Sequence, residues 1–93
     1  MNTINKTKTT LHAISLSTID DIKEFCQISG EIPCKAALYG DRYRVNAASI
    51  MGVISLDLSD EVYLELSNED YLSKFSKWLT KDIEVNINLR NAN

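Results

Sequence analysis

NAASIMGVISLDLSDEVYLEL, residues 46–66, is the stretch whose reading decides the fold. Ser49 suits a helix N-cap, because its hydroxyl can accept a bond from a free N–H of the first turn. Ile50, Met51, Val53 and Ile54 then fall within one to two helical turns, although Gly52 and the β-branched residues lower the intrinsic propensity. The segment reads as a short helix. In EVYLEL, residues 61–66, Val62, Leu64 and Leu66 alternate with other residues, as in a strand with one buried face. Two readings of the short helix stay open from the residues alone. All four apolar side chains belong to the core, or some face outward and mark a contact surface, since so small a domain has little room to bury them all.

Working outward, PCKAALY (33–39) and RYRVN (42–46) read as two strands around Gly40 and Asp41, a tight hairpin with Gly at its first central position. Pro33 suits a strand start, where no ladder donor is needed. In STIDDIKEFCQISG (17–30), Thr18 and Asp21 form a variant capping box. Ile19, Ile22, Phe25, Cys26 and Ser29 recur at helical spacing and Gly30 can end the run, which predicts a helix over 19–29. TLHAISL (10–16) reads as a strand with His12, Ile14 and Leu16 on one face. In SNEDYLSKFSKWLTK (67–81), Tyr71, Leu72, Phe75, Trp78 and Leu79 make one helical stripe. Glu69 and Asp70 lie in its first turn and Lys77 and Lys81 near its end, as the macrodipole favours.

The order β-α-β-β-α-β-α predicts an α+β two-layer domain, an antiparallel sheet with helices on one face. Residues 1–8 are polar and read as a flexible N-terminus, and 9–81 as the domain. In DIEVNINLRNAN (82–93), Ile83, Val85, Ile87 and Leu89 alternate strictly. This tail is read either as disordered or as an extra strand that pairs with an exposed edge, in this chain or in a second copy.

The chain has 93 residues and a formal charge of −3. That length fits one domain with a modest core. The cations are scattered, which argues against nucleic-acid binding. Cys26 and Cys34 have no metal-ligand spacing and read as small hydrophobes of a reducing cytosol. No run has membrane-spanning length and the first residues lack the apolar core of a signal peptide, so a cytoplasmic protein without membrane insertion is expected. No glycine-rich phosphate loop, paired metal ligands or Ser-His-Asp set is visible, so neither an enzyme nor a cofactor is expected.

The element order and VNAASIMGVISLDL (45–58) together resemble the HPr phosphocarrier family of the bacterial sugar phosphotransferase system, in its Gram-positive form. The resemblance covers residues 9–81 by element order and is specific over 45–58. It implies an open-faced sandwich of four antiparallel strands under three helices, the middle one short. It also places a kinase-modified serine at Ser49 and a partner-docking patch at Ile50, Met51 and Ile54.

The family's phosphorylated histidine begins the first helix, with an arginine two residues on. Aligned through Ser49, those positions hold Thr18 and Asp20, so the active site looks degenerate. Threonine is a poor reversible carrier, and Asp20 and Asp21 oppose phosphoryl charge. The single histidine, His12, echoes the family's Leu-His-Ala but is followed by neither arginine nor proline. It reads as a mid-strand residue with ordinary hydrogen bonds.

The expected function is that of an HPr-like regulatory or protein-interaction module, modified on Ser49, without the carrier histidine. Its partners by resemblance are a serine kinase, a transcription regulator of sugar catabolism or phosphotransferase components. The alternatives are a phosphocarrier using His12, and a generic α+β domain that binds a small ligand or associates with itself through the C-terminal tail.

Overall fold

The computed structural model describes residues 6–88. In chain order these form β1 (Lys6–Ile14), α1 (Ile19–Glu31), β2 (Ala36–Tyr39), β3 (Arg44–Asn46), α2 (Ile50–Ile54), β4 (Val62–Leu66), a 3-10 helix (Glu69–Trp78) and β5 (Leu79–Asn88). The strands make one antiparallel sheet in the order β3-β2-β4-β1-β5.

The expected four strands are five. Leu79–Asn88 pairs along β1 from Ile14↔Leu79 to Lys6↔Asn88, so β1 also reaches back to Lys6. Leu89 and the residues after it, like residues 1–5, lie outside the described residues. A bulge sits at the start of the β1–β5 pair, where Ile14 opposes Leu79 but Ala13 opposes Lys81. Thr80 is the extra residue, and its hydroxyl donates to the Ala13 carbonyl at 3.0 Å. The bulge lets Leu79 pack on the core, while Ile83 pairs with Leu11.

One sheet face carries Ile14, Leu38, Val62, Leu64 and Leu66 against Ile22 and Phe25 of α1, Val53 of α2, and Phe75 and Trp78 of the 3-10 helix. Phe25, Phe75 and Trp78 form an aromatic triad with centroids 5.5 to 6.3 Å apart, in tilted and edge contacts that aromatic quadrupoles favour. The third helical segment, expected to be an α-helix, is a 3-10 helix of ten residues. Leu72, Phe75 and Trp78 recur every third residue, and three residues per turn aligns them on one side. Phe75 and Trp78 are buried, whereas Leu72, like Tyr71 and Leu79, is half-buried.

Two local expectations also change. Gly30 lies inside α1, which runs to Glu31; the stop is Pro33, which holds Ile32 extended at φ −73°, ψ 146°. The hairpin connection spans 40–43, closed by Gly40 N–H donating to the Tyr43 carbonyl at 2.9 Å. No glycine has positive φ among the described residues, so Gly40 is not there for its turn angle. A Cβ on it would come within 2.9 Å of Leu56 Cδ2, a buried side chain.

Candidate functional site

Thr18 is the N-cap of α1, with the full capping box that the sequence suggests. Its hydroxyl accepts from Asp21 N at 3.0 Å, and the Asp21 carboxylate accepts from Thr18 N at 3.3 Å and Ser17 N at 3.4 Å. The same carboxylate accepts from the Trp78 indole N–H at 3.3 Å. Chiefly because of that bond, the Asp21 carboxyl is held below its ordinary value. The free N–H groups that could receive a phosphoryl group are thus partly taken, and Asp20 and Asp21 both sit in the first turn.

Ser49 caps α2, a helix of five residues, and its hydroxyl accepts from Gly52 N at 3.0 Å. Val53 alone of the helix is buried; Ile50, Met51 and Ile54 are 45%, 77% and 48% exposed. Ile19, expected on the core side of α1, is 60% exposed. It is the first residue of the helix, where a side chain leaning toward the N-terminus passes the edge of the layer.

A Cβ on Gly30 would lie 3.7 Å from Ala48, next to Ser49, while Ile19 and Ile22 share a shallow concavity of about 460 Å³ with Leu58 and Ser59, just past α2. Thr18 and Ser49 cap different helices.

His12 is in the middle of β1, between Leu64 of β4 and Asp82 of β5. Its side chain is 3% exposed and its Nε2 lies 2.6 Å from Glu69 Oε1, at the start of the 3-10 helix. No local sequence cue links these residues, which are 57 positions apart. Arg44, near Ser49 in sequence, is turned to the open face of the sheet. Its Nε donates to Tyr39 Oη at 3.2 Å, and that hydroxyl donates to Glu65 Oε1 at 3.0 Å. Burial is the main cause that raises the Tyr39 pKa. Beside this group, where β1 departs from β4, Thr10, Arg44, Glu65, Leu66 and Glu69 line a second open cavity of about 460 Å³. Among the described residues no three metal-ligating side chains gather, and no helix is long and apolar enough to cross a membrane.

No family model matches the chain, and no curated protein matches it in sequence. Among solved structures it is similar to a protein described as HPr-C-His from Thermoanaerobacter tengcongensis, with a TM-score of 0.60 and 20% identity, over 80% of this chain and 89% of that one. A likeness at that identity is one of architecture, and on it the chain has an HPr-like α+β fold, with five strands in its sheet.

Proposed function

We propose that this chain is an HPr-like protein of the sugar phosphotransferase system, of Gram-positive type, without the carrier histidine, that acts through protein contact at α2 and is modified on Ser49. The observation that carries the reading is the group of exposed apolar side chains, Ile50, Met51 and Ile54, directly after the capping Ser49. Three apolar side chains left in water on so short a helix are what a recognition surface needs, since burying them against a partner supplies the main driving force. A phosphate on Ser49 would add close to two negative charges at the border of that surface and so alter which partner it accepts. The partners that fit by resemblance are a serine kinase and a transcription regulator of sugar catabolism.

Two features speak against a carrier. A carrier histidine must reach the phosphohistidine of another protein, whereas His12 is buried in a central strand. The helix N-terminus that would hold the phosphoryl group offers Thr18, Asp20 and Asp21 instead.

The test runs two reactions side by side: phosphoenolpyruvate with enzyme I, and ATP with an HPr serine kinase, with the sites mapped by mass spectrometry. Phosphoserine at Ser49, lost in Ser49→Ala, is expected. An acid-labile phosphohistidine that His12→Ala abolishes would overturn the proposal in favour of a phosphocarrier.

A further inference from the structure

β5 is the long edge of the sheet. It has ten residues and, among the described residues, pairs with β1 along one side only, whereas the opposite edge, β3, has three. Pairing of β1 with β4 stops at His12, so residues 6–11 and 83–88 continue past the sheet as a two-stranded ribbon. Two strands in water are marginal, and further strands are what stabilise such a ribbon. An open edge also presents a row of backbone donors and acceptors, which proteins blunt with charge, proline or shortness. From Ile83 to Asn88 there is no proline, and Glu84 is the single charge.

The register fixes which positions share a side. Ile83, Val85 and Ile87 stand opposite Leu11, Thr9 and Thr7, on one side of the ribbon; Asp82, Glu84, Asn86 and Asn88 are on the other. We propose that two copies of this chain pair their β5 edges antiparallel, about a two-fold axis at Val85, to form a homodimer with one continuous sheet. In that register Val85 meets the partner's Val85 and Ile83 meets the partner's Ile87. On the other side, Glu84 meets the partner's Asn86 and Asp82 meets the partner's Asn88. Every apolar position faces an apolar one and every carboxylate faces an amide, which is the self-complementarity that an isologous interface requires. An axis at Glu84 would set two glutamates opposite each other, and one at Ile83 would set Asp82 against the partner's Glu84. An axis at Asn86 needs partners at 89 and 90, beyond the described strand.

Sedimentation of the full chain over a range of concentrations reads the mass. The wild type doubles its mass; Val85→Lys, which brings two ammonium groups together at the axis, remains monomeric with an unchanged far-UV circular dichroism spectrum. Cysteine variants in a Cys34→Ser background read the register, with Cys26 buried. Val85→Cys is expected to crosslink to itself on oxidation, because opposed Cβ atoms of antiparallel neighbours lie at distances close to those of disulfides. Glu84→Cys and Asn86→Cys, which face other positions, stay uncrosslinked. A wild type that is monomeric throughout, a dimer that survives Val85→Lys, or crosslinking at 86 in preference to 85 overturns the proposal.

Discussion

At His12 an imidazole stands in the core layer with a carboxylate at 2.6 Å, so its first task is to hold β1 to the start of the 3-10 helix. Truncating Glu69 removes a hydrogen-bond partner from a buried donor. Glu69→Ala is therefore expected to destabilise the fold by about 1–3 kcal/mol in urea denaturation; an unchanged midpoint would show that the pair contributes nothing. At Thr18 and Asp20 the expectation concerns charge. Thr18→His alone should accept little phosphate from enzyme I, because Asp20 and Asp21 remain. Adding Asp20→Arg removes one carboxylate and supplies a bidentate donor, so the double variant should accept more. Equal uptake by both variants would mean that the carboxylates do not oppose the transfer. At Ser49, phosphorylation should change stability by no more than about 1 kcal/mol, because the helix dipole tolerates an anion at that end. It should nevertheless alter partner binding, which calorimetry on the modified and unmodified protein would separate from any thermal shift.

At the scale of elements, Asp21 joins α1 to the 3-10 helix through the Trp78 indole. Its carboxyl titrates below the ordinary 3.8, so the charged form is the one that the fold favours. The stability from this bond is present in full above 3.8 and is lost as pH falls through the lower, folded-state value. Urea midpoints measured down this pH range should fall more steeply for the wild type than for Asp21→Asn, and parallel curves would exclude the linkage. Packing gives a larger effect: Phe75→Ala opens the centre of the aromatic triad and should cost about 3–5 kcal/mol. Helix α1 is legible in the sequence because its evidence is local: Thr18 with Asp21 at one end, and Ile22, Phe25, Cys26 and Ser29 along it. The alternation of Val62, Leu64 and Leu66, and Ser49 as a cap, are legible for the same reason. The outward face of α2 is one of the two readings that the residues leave open, and the exposure of Ile50, Met51 and Ile54 decides for it. The 3-10 pitch is not legible, because Leu72, Phe75 and Trp78 fit a period of 3.0 or 3.6 equally well over so short a run. Glu69 as the partner of His12, and β1 as the partner of β5, depend on contacts across most of the chain, which no local pattern encodes.

For the whole molecule, the sheet order sets how its ends depend on each other. β1 lies between β4 and β5, and over residues 6–11 its recorded strand partner is β5. Removing residues 82–93 should therefore lower the urea midpoint of the domain and leave residues 6–11 open to proteases. A truncated chain as stable as the full one would make β5 dispensable. The same pairing has a consequence in time. The β1–β5 rungs join residues 65 positions apart at Ile14↔Leu79 and 82 apart at Lys6↔Asn88, whereas β2 and β3 meet within a hairpin. Closing so large a loop carries most of its entropy loss before any contact rewards it. The β2–β3 hairpin and the helices that pack on it can thus form while the ribbon is still open. The rung between Lys6 and Asn88 is the last to close on folding and the first to admit solvent deuterium in the native state.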